Sequence, residues 1–286
     1  MRSRRRPGAV WSRARRAPPA PRSRSSRYDP RVSILGIDHL VIAVRDPDAA
    51  AADLGRELGL VFTDGGRHET AGTWNRLAFL GDSYVELIGV FDRELVLSNP
   101  DFAVGRAALD LLDAGREGLA TWAVAVPNCA VEVAALRHAG SPIGSPVAGS
   151  RVRPDGETVR WVAAFPTLGP DEPPFLIEHE PTGAEWGPDA LQARRAFHHP
   201  GLGRARIGRL VLPVADAAGY AARCKNVVGI TFRADLSGWT AFFGFDTVHL
   251  HATTGGLPVV QLETVALDGD RRSVPRYGID WYVNPG

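Results

Sequence analysis

The sequence predicts an α+β fold that is assembled from repeated βαβββ modules. Residues 36–91 have the pattern of a strand, a helix and three further strands, residues 119–180 repeat this order, and residues 207–265 repeat it more loosely. The chain has 286 residues, of which 44% are hydrophobic, and this is enough for a substantial core. No apolar run reaches the roughly 18 residues that span a bilayer, so we expect no membrane association.

The first module begins with a strand, a tight turn and a helix. Residues 37–44 are apolar and rich in β-branched side chains, and an Arg-Asp-Pro turn and an Ala-rich run follow them. Asp46 suits the N-cap and Pro47 the first turn of a helix over residues 47–58. Gly59 is expected to end that helix.

His39 lies on the first strand, on the face that it shares with Val41 and Ala43. Both faces of this strand are apolar, so we expect both to be covered. A buried imidazole needs a hydrogen-bond partner, a carboxylate or a metal. The same module offers the carboxylate of Glu86 on the last of its three further strands, which are expected at residues 60–63, 73–80 and 83–90.

The second module follows a helix that is predicted over residues 101–116. It has strands at 119–126, 157–165 and 175–179 and a helix over 129–139.

Aligning the two modules places Trp122 opposite His39 and Glu178 opposite Glu86.

The third module changes the residue types at these positions. Arg209 and Glu263 take the places of the histidine and the glutamate. His249 and His251 are two residues apart on one predicted strand, a spacing that suits a metal pair. The positive charge of Arg209 opposes metal binding there, and it favours an ion pair between Arg209 and Glu263.

The remaining segments are polar. Residues 1–30 contain ten Arg and read as a disordered basic tail, either a nucleic-acid arm, a targeting peptide or a dispensable extension. Without the arginines of this tail, 23 basic residues face 32 acidic ones, so we expect no nucleic-acid partner. Residues 183–206 are predicted to be a linker, and residues 266–286 are predicted to be a surface tail. Two distant cysteines indicate a reducing compartment, and we expect a cytoplasmic protein.

Five stretches of the repeat resemble the vicinal oxygen chelate superfamily, and within it the glyoxalase-like group. They are Gly-Ile-Asp-His-Leu-Val at 36–41, Gly-Gly-Arg-His at 65–68, Gly-Thr-Trp-Asn at 72–75, Tyr-Val-Glu-Leu-Ile at 84–88 and Phe-Leu-Ile-Glu-His at 175–179.

The resemblance covers residues 36–182 well, and it implies that the two modules form a half-barrel around a cavity. Such a cavity holds a divalent metal bound from first and last strands. Members include lyases, isomerases, ring-cleaving dioxygenases and metal-free drug-binding proteins, so the fold alone does not select a reaction.

The metal ligands implied by the resemblance are His39, Glu86 and Glu178. One nitrogen and two carboxylates suit Fe, Mn, Zn, Ni or Co. Trp122 stands where the superfamily often has His or Gln, and an indole cannot bind a metal. The alternative is a buried His39 that is hydrogen-bonded to Glu86 without a metal.

Other residues are predicted to complete the site. Glu178 is a candidate base, and His68, which follows a Gly-Gly-Arg turn, is a candidate proton donor. His199 belongs to a His-Pro-Gly stretch that the resembling group often has. An aromatic pocket with an amide for a substrate carbonyl is expected from Trp74, Asn75, Trp122 and Trp161.

Three functions remain open. The first is a metal-dependent lyase, isomerase or dioxygenase that acts on a small oxygen-bearing substrate. The second is a metal-free protein that sequesters a small hydrophobic compound, such as an antibiotic. The third is a scaffold whose unpaired third module leaves a sheet open to a second copy, which predicts a homodimer. The sequence contains no GxSxG, P-loop or HExxH motif.

Overall fold

The computed structural model describes residues 32–99, 102–166, 172–264 and 271–285. The predicted basic tail, residues 1–30, lies outside them. Within these ranges, no helix is long and apolar enough to cross a membrane.

The first module has the predicted order of elements. The Asp46 carboxylate accepts hydrogen bonds from the N–H groups of Asp48 and Ala49, and Gly59 ends the helix with φ +81°. The elements are β1 (Gly36–Ala43), α1 (Pro47–Leu58), β2 (Thr63–His68), β3 (Thr73–Leu80) and β4 (Ser83–Val90).

Strand β2 lies further along the chain than the predicted strand at 60–63. It includes Gly65 and Gly66, which the sequence predicts as a turn. A Cβ on Gly65 would lie 2.0 Å from Asn75 Oδ1 and 2.8 Å from the Asn75 backbone oxygen. The glycine therefore permits a close approach of β2 to β3 rather than a reversal of the chain.

The second module repeats the order of the first. Its helix begins at Asn128, whose side chain accepts a hydrogen bond from the N–H of Val131. Two helices precede it, α2 (Arg93–Ser98) and α3 (Ala103–Asp113), and its own elements are β5 (Gly118–Ala125), α4 (Cys129–His138), β6 (Val147–Val152), β7 (Thr158–Ala164) and β8 (Phe175–His179).

The two modules close into one barrel with the strand order β1-β4-β3-β2-β6-β7-β8-β5. Within each module the first and last strands pair in parallel, and the modules join through antiparallel pairing of β1 with β5. The predicted half-barrel is thus completed on its open side, because Arg67 of β2 pairs with Val152 of β6.

The predicted linker contains two short helices, α5 (Gly183–Trp186) and α6 (Pro188–Ala196). After it comes a seven-stranded sheet with the order β10-β11-β12-β9-β13-β15-β14. Its elements are β9 (Ala205–Val214), α7 (Ala217–Val228), β10 (Arg233–Asp235), β11 (Gly238–Phe243), β12 (Asp246–Ala252), β13 (Val259–Thr264), β14 (Arg272–Arg276) and β15 (Ile279–Pro285).

The third module ends earlier than predicted, because β12 and not β13 pairs in parallel with β9. Strand β13 pairs antiparallel with β9, as β5 does with β1, and in parallel with β15. The described part of β13 to β15 is therefore a fourth, incomplete repeat. It includes residues 272–285, which the sequence predicts as a surface tail. The ion pair predicted between Arg209 and Glu263 is also wrong, because Glu263 binds Arg206.

The sheet packs on the outside of the barrel. One row of its side chains, from Ala241 through Leu210 to Trp281, is buried in the same core as Leu40 and Trp122 of the barrel. Alternation along the strands then turns the neighbouring rows away from the barrel.

Candidate active site

The inward faces of the barrel strands line a small cavity. About 50 Å³ is open to the centres of water molecules, which is room for about three or four of them. Its polar lining residues are His39, His68, Asn75, Glu86, Arg151, His179 and Glu185. Its aromatic lining residues are Tyr84, Phe102, Trp161, Phe165, Phe175 and Trp186.

A carboxylate behind the cavity wall holds two of these histidines. Asp38 Oδ1 lies 2.6 Å from His39 Nδ1 and 3.1 Å from His179 Nε2. The three side chains are buried or nearly so. Burial opposes the ionisation of Asp38, but the charge and hydrogen bonds of His179 and His39 outweigh it and hold the pKa of Asp38 well below its usual range.

An ionised Asp38 fixes the tautomers of both rings, because a carboxylate can only accept hydrogen bonds. His39 then donates from Nδ1 and presents Nε2 to the cavity side. His179 donates from Nε2, and its Nδ1 is buried without a partner among the described residues. The rings are held flat on aromatic neighbours, His39 on Tyr84 at 4.4 Å and His179 on Trp186 at 3.5 Å between centroids.

Glu86 lies beside His39 in the cavity wall. Its Oε2 lies 3.6 Å from His39 Nε2, and its Oε1 accepts a hydrogen bond of 2.6 Å from Asn75 Nδ2. The amide thus holds one carboxylate oxygen and leaves the other beside the imidazole. Val41 pairs with Glu86 in the register of β1 and β4, so the fold sets this approach.

His68 lines the cavity as a neutral ring. Its Nδ1 lies 2.8 Å from Thr73 Oγ1. Burial, and to a smaller extent the charge of Arg151, lower the pKa of His68 to about 4, although Glu86 opposes this. At neutral pH the ring can supply a hydrogen bond but not the proton of an imidazolium.

One end of the cavity is covered by the linker. Arg151 on β6 binds Glu185 of α5 at 2.5 and 2.7 Å and the backbone oxygen of Gly65 at 2.6 Å, and its side chain is buried. Trp186, the next residue of α5, lies on His179. The buried ion pair therefore fixes the segment that covers His179.

Glu178 does not reach the cavity. It lies between Ile177 and His179, which both line the cavity, so the pleat of β8 points it to the other side. There its Oε2 accepts a hydrogen bond of 2.8 Å from the N–H of Cys129, at the start of α4. The structure thus gives this carboxylate a place at a helix N-terminus.

Of the four predicted pocket residues, Asn75 and Trp161 line the cavity. Trp74 precedes Asn75 on β3 and faces the other way, where its indole lies close to Gly89. Trp122 pairs with Leu40, shares its outward face, and lies 3.4 Å from the hydroxyl of Tyr220.

His199 also lies outside the cavity lining. Its Nδ1 accepts from the N–H of Val61 at 3.0 Å, and its Nε2 donates to the backbone oxygen of Phe79 at 2.9 Å. Both nitrogens thus tie the linker to the first module.

The predicted metal centre does not fit this arrangement. His39 and Glu86 lie close together, but Glu178 points away from them. Within the described residues, no three or more His, Cys, Asp or Glu side chains are grouped to hold a metal ion. One nitrogen and one carboxylate are fewer donors than the predicted centre requires.

Several site residues are absent from the sequence-based prediction. Asp38 had a signal, since it is a second polar residue beside His39 in an apolar strand. A register shift between Ile37 and His39 interrupts the alternation of β1 at this point. Arg151 and Glu185 had no such signal, because they come from different segments that only the fold brings together.

The paired βαβββ modules and the cavity between them define a protein of the vicinal oxygen chelate superfamily. The family model described as a glyoxalase-like domain matches residues 37–228. The chain belongs to this glyoxalase-like family. None of the curated proteins matches it in sequence.

Several solved structures are similar to this chain, and the first of them shares its fold. A hypothetical protein from Staphylococcus aureus has 14% identity and a TM-score of 0.71, and the match covers 87% of this chain and 98% of that one. Methylmalonyl-CoA epimerase from Mycobacterium tuberculosis has 18% identity and a TM-score of 0.38, over 53% of this chain and 91% of that one. The Streptomyces coelicolor methylmalonyl-CoA epimerase, in complex with 2-nitronate-propionyl-CoA, has 21% identity and a TM-score of 0.36, over 51% and 94%. At these values the epimerases say nothing about the substrate of this chain.

Proposed function

We propose that this chain is an enzyme that moves a proton on a small oxygen-bearing substrate inside the barrel. The observation that carries this proposal is the approach of His39 Nε2 to Glu86 Oε2, 3.6 Å apart beside the barrel cavity. These are two proton-carrying groups of different kinds. Abstraction of a proton next to a carbonyl and its return can be divided between one group that takes the proton and another that gives it.

His39 is the preferred base. When its ring is neutral, the hydrogen bond to Asp38 keeps the proton on Nδ1 and the lone pair on Nε2. Asp38 is a positioning residue, since it acts through the imidazole. Glu86 is the preferred partner, with Asn75 holding the oxygen that does not face His39.

A substrate oxygen needs a donor, and Trp186 offers one. Its indole Nε1 is buried and has no partner among the described residues. A buried N–H without a partner is costly, so a ligand or water oxygen is the natural acceptor. The neutral His68 is a second candidate for this role.

A metal-dependent reaction with Fe, Mn, Zn, Ni or Co would need a third protein ligand beside His39 and Glu86. Glu178 does not provide it, so we derive no step from a metal. The alternative, sequestration of a hydrophobic compound, rests on Trp122 and on an aromatic lining. Trp122 packs outside the cavity, whereas six aromatic side chains line it, so the lining alone supports this alternative. We also propose a cytoplasmic location, because Cys129 and Cys224 are free and buried. The homodimer stays a prediction.

The test is hydrogen exchange catalysed by the full chain in D2O. A panel of small hydroxy and oxo acids is followed by proton NMR for loss of the signal of a C–H next to a carbonyl. His39→Gln and Glu86→Gln are expected to slow the exchange at least 100-fold. Glu178→Gln is the matched control, and its rate should stay within about 3-fold of wild type.

Metal analysis separates the proposal from the metal-dependent alternative. We expect less than about 0.1 equivalent of bound metal in protein that is purified without an affinity tag, and exchange that survives a chelator. One equivalent of metal that is lost in His39→Ala would overturn the metal-free reaction. Tight binding of an apolar dye, with no exchange of any panel compound, would favour sequestration.

A further inference from the structure

The exposed face of the seven-stranded sheet carries a row of polar and aromatic side chains. Paired residues on neighbouring strands point to the same side of a sheet. The register therefore places six residues side by side: Phe242, Thr247, Arg209, Gln261, Tyr282 and Ser273. The adjacent row is buried against the barrel, so this row faces outward.

Arg209, in the middle of this row, has no partner among the residues that the structure describes. It is only half-buried, but its Nε is fully buried, and it makes no hydrogen bond or ion pair with any described residue. A buried N–H without an acceptor is costly, and this cost falls on Nε of Arg209.

The four acids on the described strands of this sheet are engaged elsewhere. Glu263 and Asp246 both bind Arg206. Asp280 accepts from the Ser273 hydroxyl at 2.5 Å, and Asp235 accepts from Ser237. The free charge on Arg209 is thus not neutralised within the described part of the fold.

The repeat relates Arg209 to a residue of the barrel site. Arg209 pairs with Thr247 as His39 pairs with Tyr84, and Val211 pairs with His249 as Val41 pairs with Glu86. Arg209 and His249 therefore occupy the places that His39 and Glu86 hold in the barrel. His249 stands where the barrel has the carboxylate of Glu86, and Arg209 stands where it has His39. This site therefore carries a positive charge where the barrel site carries a negative one.

His249 is suited to remain neutral there. It is buried, and its Nδ1 lies 2.9 Å from Thr240 Oγ1. Burial, and then the charge of Arg209, lower the pKa of His249. The arginine thus supplies the only unpaired charge that we find in this row.

We propose that Arg209 binds the anionic group of a small molecule, a carboxylate or a phosphate, on the open face of the sheet. Gln261, one strand away, offers a neutral amide donor. Phe242 and Tyr282 lie two strands away on either side, at roughly 9–10 Å, and suit the apolar part of such a ligand. This site is separate from the barrel cavity.

Calorimetric titration with two probes tests the proposal, and the probes distinguish the two sources of charge. Benzoate is the carboxylate probe and inorganic phosphate the phosphate probe, both at constant ionic strength. Arg209→Gln is expected to weaken binding of at least one probe 10-fold or more. Arg160→Gln removes an exposed arginine from β7 of the barrel and serves as the matched control, with less than a 2-fold effect.

Thermal unfolding gives a second readout that a merely structural arginine would not produce. Without a probe, Arg209→Gln should melt no lower than wild type, because the charge that it removes has no partner among the described residues. The probe should raise the melting temperature of wild type and of His39→Gln, but not that of Arg209→Gln. The proposal is overturned if neither probe binds wild type below about 10 mM, if Arg209→Gln binds like wild type, or if that variant is destabilised.

Discussion

Replacement of Asp38 by Asn tests how strongly the two histidines depend on one carboxylate. The carboxylate accepts from His39 Nδ1 at 2.6 Å and from His179 Nε2 at 3.1 Å. Hydrogen bonds to a charged group contribute about 1.5–3 kcal/mol each, and a neutral one about 1 kcal/mol. Asn keeps one neutral bond at best, so Asp38→Asn should lower the free energy of unfolding by about 2–5 kcal/mol.

The pH dependence of this loss has a definite sign. The pKa of Asp38 is held below its unfolded value, because the charge and hydrogen bonds of His179 and His39 outweigh burial. Its contribution to stability is therefore present above about pH 4 and is lost as the pH falls below that value. The gap between wild type and Asp38→Asn should be constant from about pH 8 to 5 and should shrink in acid.

Urea unfolding at several pH values measures this gap. Asp110→Asn makes the same chemical change at an exposed position on α3 and is the control, with an expected effect within about 0.5 kcal/mol. A loss below about 1 kcal/mol at pH 7, or a gap that widens in acid, would refute the role given to Asp38.

Three further outcomes follow from the contacts. Glu178→Ala should cost about 1 kcal/mol through its lost helix-terminal hydrogen bond, measured by urea unfolding, while any exchange activity remains. Gly65→Ala should cost about 1–3 kcal/mol because its Cβ meets Asn75, whereas Gly255→Ala meets nothing within 4 Å and should be nearly neutral. Burial lowers the pKa of His68 to about 4 from 6.5, so the unfolded chain binds the proton first as the pH falls. Stability should therefore fall by about 3 kcal/mol more between pH 7 and 4 in wild type than in His68→Gln, and equal slopes would contradict this.

The fold of each module was predictable because the sequence signals that specify its helix and strands are local. The cap at Asp46, the glycine at Gly59 and the alternation along the strands fix each module without knowledge of its neighbours. Strand β13 was assigned to the wrong module because its apolar alternation does not say which strand it pairs with. That choice depends on β9, more than 40 residues earlier in the chain.

The site was predictable only in part, because the alternation of side chains along each strand decides which residues point into the cavity. Glu178 and His179 are neighbours, and only one of them can face the cavity. The repeat favoured the glutamate, since it matches Glu86 in residue type. The structure places His179 inward together with Ile177, because the pairing of β8 with β5 sets a different register.

The central claim is that His39 and Glu86, and not Glu178, act on a substrate within the barrel. The most direct measurement is the rate of deuterium exchange into the fastest panel compound for His39→Gln, Glu86→Gln and Glu178→Gln beside wild type. A loss of at least 100-fold in the first two, with the third within about 3-fold of wild type, is the predicted result. A loss in Glu178→Gln as large as in His39→Gln, or no exchange of any compound by wild type, would contradict it.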